Sequence, residues 1–220
     1  VNGSRRWISI GGISLQPSEL AKVSIILIAT AFLGEYLRRQ RPVSLLQWPQ
    51  AGPLVFTVIA SFFVLKQPDM GTAAIMLGIG IYMYILAGIP RWQIFSIIGL
   101  GAVGAAAIAV LEPYRLNRIR IWKDPWLDPL GAGYQMVQSQ MAIGSGGLLG
   151  VHWGQGSSKF FYLPEAHTDF AFAVYCQEWG FLGALLLLLL FALLALAFYR
   201  IAIATKDKKG FLLVCGCSCL

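Results

Sequence analysis

From Trp179 to Tyr199 the chain carries no charged side chain, and the apolar run closes only at Arg200. A helix needs about 20 such residues to cross the hydrocarbon core of a bilayer. In lipid the backbone must satisfy its own polar groups, so only helices and closed barrels span. The run therefore predicts a transmembrane helix within the longer segment Phe170–Tyr199, and similar runs recur at Leu20–Tyr36, Ala51–Leu65, Gly71–Ala87 and Ile94–Leu111. A sixth begins at Phe211 and is cut off at residue 220. Composition agrees with this reading. The chain is 57% hydrophobic and 12% charged, where soluble domains are about 25% charged. That excludes a water-soluble enzyme, and it equally excludes a disordered chain, which needs few apolar residues and many charges. The expected fold class is all-α, a polytopic transmembrane helical bundle. Val1 is not an initiator Met and Leu220 falls inside an apolar run, so residues 1–220 are expected to be a piece of a single, longer membrane domain.

The net charge of +7 points to cytoplasmic loops and anionic headgroups rather than nucleic acid. The cysteines give no disulfide framework. Cys176 lies in an apolar run, and Cys215, Cys217 and Cys219 alternate in another, a spacing foreign to zinc sites. They read as small apolar fillers.

One long stretch separates the fourth and fifth runs, residues 112–168. It holds Trp-Pro-Asp-rich turns at Trp122–Pro129, a Gly-rich segment at Gly144–Gly150, and a segment at Gly131–Gly144 with Tyr134, Val137 and Met141 at helical spacing. A connection of this length between spans is expected to be functional. Arg38, Arg39, Arg41, Arg91, Arg200, Lys206, Lys208 and Lys209 all fall in short loops on one side, which the positive-inside rule makes cytoplasmic. The 112–168 loop is then extracytoplasmic. Its own Arg115, Arg118, Arg120, Lys123 and Lys159 run against the trend and call for an anionic partner.

Three clusters place ionisable groups at membrane edges, where an unpaired charge is costly. In Gln16-Pro17-Ser18-Glu19-Leu20-Ala21-Lys22, Pro17 suits a first helical turn, and Glu19 and Lys22 share a helix face. They form either a helix-start ion pair or a charged cavity wall. In Lys66-Gln67-Pro68-Asp69-Met70-Gly71, Asp69 is placed to cap the following helix or to face a site. The third cluster, Leu163-Pro164-Glu165-Ala166-His167-Thr168-Asp169-Phe170, sets carboxylates, an imidazole and a hydroxyl just before an apolar helix. A carboxylate there can serve as a base, or Thr168 or Asp169 can be an N-cap. Tyr114-Arg115-Leu116-Asn117-Arg118-Ile119-Arg120 reads as snorkelling arginines or as a guanidinium clamp on pyrophosphate. Gly144-Ser145-Gly146-Gly147 matches no phosphate-loop fingerprint and reads as a flexible turn. His152 and His167 lack zinc-type partners, and Trp122, Trp126 and Trp153 fit an interfacial belt.

Taken together these segments resemble a known family. Asn2-Gly3-Ser4-Arg5-Arg6-Trp7, the Gln16–Lys22 run, Gln67-Pro68-Asp69-Met70-Gly71, Asp128-Pro129-Leu130-Gly131-Ala132-Gly133-Tyr134-Gln135, Ile143-Gly144-Ser145-Gly146-Gly147 and Leu163–Phe170 are similar, in order, to the SEDS proteins (shape, elongation, division and sporulation), the FtsW/RodA/SpoVE family. The resemblance implies a ten-helix protein of the bacterial inner (cytoplasmic) membrane. Residues 1–220 would correspond to helices four to eight and the start of nine, with the large extracytoplasmic loop between seven and eight. It further implies a peptidoglycan glycosyltransferase that polymerises lipid II beside a class B penicillin-binding transpeptidase. By the same resemblance Asp169, in His-Thr-Asp-Phe, is the catalytic aspartate, and Arg6, Glu19, Lys22, Asp69 and Arg118 belong to the substrate-binding cavity. Phe161–His167 leans towards the division or sporulation branch, while Cys176-Gln177-Glu178-Trp179 departs from the family's commoner acidic pair.

The expected chemistry is inverting transfer. Asp169 takes the acceptor hydroxyl's proton, and Arg118, helped by Lys22 or Arg6, steadies the departing pyrophosphate. A divalent cation such as Mg²⁺ or Mn²⁺ could share that task, although no ligand set stands out. Two rival readings use the same helices: a lipid II flippase, and a non-catalytic scaffold for the transpeptidase. Against the flippase, the ionisable clusters gather at the outer edge rather than at the midplane.

Overall fold

A computed structural model of the protein describes residues 7–10, 13–67, 69–111, 113–152, 154 and 169–220. The chain divides into two compact units, Val1–Leu100 with Ala195–Leu220, and Gly101–Leu194.

The first unit opens with a small antiparallel hairpin, β1 (Ile8–Ile10) and β2 (Ile13–Leu15), in which Ile8 faces Leu15 and Ile10 faces Ile13. Helix α1 (Pro17–Arg38) follows, with Pro17 in its first turn as expected, where the missing N–H would have had no intrahelical partner. Helices α2 (Gly52–Lys66) and α3 (Met70–Leu86) come next. Helix α4 (Arg91–Leu111) begins in this unit, and α8 (Lys208–Cys217) completes it, starting at the cap Asp207, whose carboxylate accepts from the Gly210 N–H at 3.2 Å. α1 packs against α2, α3 and α8, and α3 packs against α2 and α8. The core between them is Ile25, Ile26, Ala29 and Leu33 of α1, Met76, Ile79, Met83 and Tyr84 of α3, and Leu212 of α8. At Gly80 a Cβ would lie 2.7 Å from Thr57 Cγ2. Only glycine lets α2 and α3 approach so closely, the small-residue packing typical of helices in lipid.

In the second unit the long connection after α4 holds helix α5 (Pro113–Lys123), a 3₁₀ turn (Pro125–Leu127) and helix α6 (Tyr134–Ser145). α6 is the helix that the spacing of Tyr134, Val137 and Met141 predicts. Residues 155–168 lie outside the described part. Helix α7 (Ala171–Ala204) carries the long apolar run, but Gly180 breaks it, with φ 65° and ψ −165°. One continuous span was expected; two helical segments joined at a glycine are observed. Beyond the break, Leu185, Leu186, Leu188, Leu189 and Leu190 are all more than half exposed. Such a surface is stable against lipid rather than water. α1 and α7 are long and apolar enough to cross a membrane, and α2 and α3 are shorter apolar helices.

Candidate functional site

The first two turns of α1 bring Glu19 and Lys22 together. Lys22 Nζ lies 2.9 Å from Glu19 Oε2, and the lysine side chain is 15% exposed against 58% for the glutamate. The pair therefore presents its carboxylate outward and its ammonium inward. Glu19 also sits where the helix dipole favours negative charge.

Asp69 caps α3. Its Oδ1 accepts from the Thr72 N–H at 3.1 Å, and its Oδ2 from the Thr72 hydroxyl at 3.0 Å. α2 runs back from the end of α1 to the turn at Gln67, so Asp69 lies at the end of this unit where α1 starts. Next to it Lys66 Nζ rests 5.4 Å from the centre of the Phe62 ring.

Arg118 lies exposed on α5, in the second unit. Asp169 is exposed in the turn ahead of α7. It is not the helix cap. Phe170 holds that position, its carbonyl accepting from the N–H groups of Ala173 and Val174 at 2.9 and 3.2 Å. In the backbone the cap therefore falls one residue after Asp169. Arg6, Glu165, His167 and Thr168 lie outside the described residues. Among the described residues no three His, Cys, Asp or Glu side chains converge.

The first part of α7 is held by a feature that sequence reasoning missed. Because Gly180 leaves the helical conformation, the N–H groups just past it lose their partners along α7. They are satisfied by the Gly-rich turn that follows α6: Phe181 donates to the Gly147 carbonyl at 2.9 Å and Leu182 to that of Leu148 at 3.2 Å. In return Val151 donates to the Gln177 carbonyl at 3.0 Å, and the Gln177 amide reaches Ser145 Oγ at 2.9 Å. Two glycines permit this contact. A Cβ on Gly146 would lie 2.2 Å from the Cys176 carbonyl oxygen, and one on Gly150 (φ 82°) 2.0 Å from that of Glu178. Glu178 is 6% exposed and accepts from the Gly154 N–H at 3.3 Å. The segment expected as a flexible turn is thus docked, and its carbonyls face a helix. A carboxylate inside an apolar run is the signal that marks Glu178 in the sequence.

Comparison with known proteins matches the model of the FtsW/RodA/SpoVE family, described as "Cell cycle protein", over residues 1–220. The chain belongs to the FtsW/RodA/SpoVE family. Among its relatives, stage V sporulation protein E of Bacillus subtilis (strain 168) is 41% identical over 216 residues, 98% of this chain and 58% of that protein. A protein of Halorhodospira halophila named "Probable peptidoglycan glycosyltransferase FtsW" is 42% identical over 192 residues, 87% of this chain and 48% of its own length. This FtsW/RodA/SpoVE chain therefore spans about half the length of the curated relatives it matches. Two solved structures share the fold. One, from work on the structural coordination of polymerization and crosslinking by a peptidoglycan synthase complex, has a TM-score of 0.73 at 30% identity and covers 99% of this chain and 59% of that one. The other, the rod shape determining protein RodA of Thermus thermophilus, has a TM-score of 0.60 at 28% identity, covering 99% and 54%.

Proposed function

We propose that the protein to which this FtsW/RodA/SpoVE chain belongs is a peptidoglycan glycosyltransferase that polymerises lipid II. It would work in the bacterial inner membrane beside a class B penicillin-binding transpeptidase, with residues 112–168 on the outer side. The observation that carries this reading is the family match over residues 1–220, together with 42% identity over 192 residues to a protein named as such a glycosyltransferase. It is supported by an exposed carboxylate, Asp169, just ahead of a helix long and apolar enough to cross a membrane. A lipid-linked sugar needs its chemistry at that depth, since the polyprenyl tail stays in the bilayer while the pyrophosphate and sugars reach the surface.

In the proposed step an acceptor sugar hydroxyl attacks the anomeric carbon of the donor. The new C–O bond forms as the bond to the pyrophosphate oxygen breaks, with inversion. Asp169 accepts the hydroxyl proton, and the electron pair leaves with the lipid pyrophosphate. Arg118, with Lys22 or Arg6, stabilises that charge, a role that guanidinium groups fit by offering paired donors to phosphate. Glu19 holds Lys22 in place, and Asp69 shapes the cavity edge by fixing the start of α3.

The test uses the full-length protein, purified with its transpeptidase partner and given fluorescent lipid II. Wild type is expected to build glycan chains, and Asp169→Asn to bind the partner yet build none. Equal chain formation by both overturns the role of Asp169. Loss of lipid II translocation with polymerisation intact favours the flippase reading instead.

A further inference from the structure

We propose that the C-terminal end of α1 forms a binding site for the phosphate of an anionic phospholipid headgroup, held by Arg39 and Arg41. This site lies within the first unit and does not depend on the proposed glycosyl transfer. A cavity of about 330 Å³ opens there, with Ala31, Phe32 and Pro49 giving it an apolar side and Glu35, Tyr36, Arg39 and Arg41 a polar one.

Charge at this cavity is unbalanced. Arg38 Nη2, Arg39 Nε and Lys209 Nζ all converge on Glu35, at 2.8, 2.7 and 3.1 Å. One carboxylate thus serves three cations, and Arg39 spends only its Nε on it. Among the described residues no carboxylate pairs with Arg41; with Asp207 also acting on Arg38, four cations face two anions. The partial negative charge of the helix end, about half an elementary charge, is smaller than that excess. Planar guanidinium groups suit phosphate, which they grip through paired donors.

The apolar side identifies the phosphate as a lipid's. Val23 and Leu27, 41% and 53% exposed, lie at four-residue spacing below Ala31, so the three share one face of α1. That stripe leads from membrane depth to the cavity mouth, as an acyl chain would lie beneath its headgroup. The far wall is set in advance. Gln93 Oε1 accepts from the Leu45 N–H at 3.0 Å, and Gln93 Nε2 donates to Ser44 Oγ at 2.9 Å. Gln50 Oε1 accepts from the Ser44 N–H, while its carbonyl accepts from the Tyr84 hydroxyl. Gln50 and Gln93 are each 4% exposed, so the segment bearing Pro49 rests on a buried polar network, and little ordering remains for a ligand to impose. Trp48 and Trp92, 76% and 58% exposed at the same end, suit the headgroup layer.

The experiment takes the full-length protein in detergent and titrates it with dioleoylphosphatidylglycerol or, as the neutral control, dioleoylphosphatidylcholine, counting adducts by native mass spectrometry. Wild type is expected to hold the anionic lipid about tenfold more tightly than the neutral one, and Arg41→Gln to lose about that factor. Ala31→Trp, which fills the apolar side and leaves every charge in place, is expected to lose it too. Arg91→Gln, an exposed basic residue outside the cavity, is expected to change nothing. Retained anionic-lipid binding in both Arg41→Gln and Ala31→Trp overturns the proposal, as does an equal loss in Arg91→Gln. If excess inorganic phosphate displaces the lipid in an Arg41-dependent way while Ala31→Trp binds normally, the site is one for free phosphate, and the lipid assignment falls.

Discussion

At Asp69 one side chain is asked to do two things, and its chemistry separates them. Capping needs an oxygen acceptor, which asparagine also has; a role in the cavity needs the negative charge. Asp69→Ala should cost about 1 kcal/mol through loss of the cap, read as a lower Tm of the purified full-length protein, whereas Asp69→Asn should keep the Tm. If Asp69→Asn also keeps polymerisation, the residue is a cap and nothing more. Lys22 poses the converse case. Its partner Glu19 is the more exposed member of the pair, so Lys22→Gln leaves that carboxylate in water at little cost to stability. A fall of about tenfold or more in chain formation is expected from withdrawing a preorganised charge. Both residues were legible in the sequence, because helix starts follow local rules: a proline at the first turn of α1, a carboxylate three residues ahead of an amide. In the sequence Glu178 stands out within Cys176-Gln177-Glu178-Trp179, as a departure from the family's acidic pair. What gives it a partner is Gly154, twenty-four positions earlier, and no local rule connects the two.

The break in α7 belongs to the scale of the element. Gly180 has φ and ψ of 65° and −165°, a region open in practice only to glycine, and a Cβ there would lie 2.4 Å from the Gly150 nitrogen. Gly180→Ala should therefore destabilise by about 2 kcal/mol or more, lowering the Tm of the purified protein. Gly144→Ala, on α6, where an added Cβ meets nothing within 4 Å, should cost less. An equal effect at both positions would mean that the break is not held by backbone contact. Hydrophobic periodicity placed the helix correctly and passed over the break. An isolated glycine in an apolar run looks the same whether the helix continues through it or stops. The hydrogen-bond partners that decide the matter, Gly147 and Leu148, lie in a segment whose composition signals only a turn.

For the whole molecule, the predominantly helical character and the order of the apolar helices are readable from alternation of apolar runs and basic loops, whereas the short β1–β2 hairpin is not. Which charged groups share a site is not readable either, since that depends on packing between segments far apart in sequence. Membrane residence makes its own prediction. Leu188 is 58% exposed in the middle of the run on α7, and arginine there should cost about 3 kcal/mol on insertion scales. Leu188→Arg should sharply reduce membrane integration of the α7 segment in a translocon insertion assay; unchanged integration would count against α7 as a span.

α8 is threaded into the first unit after the entire second unit has been made. Leu212 is fully buried in the core shared with α1 and α3, and a Cβ at Gly216 would lie 2.5 Å from Ile26. During synthesis α1, α2 and α3 must therefore wait beside one another with a vacant seam, while more than a hundred further residues leave the ribosome. Closing that seam therefore depends on a helix made later in the chain, so the core of the first unit is completed only after the second unit has been synthesised.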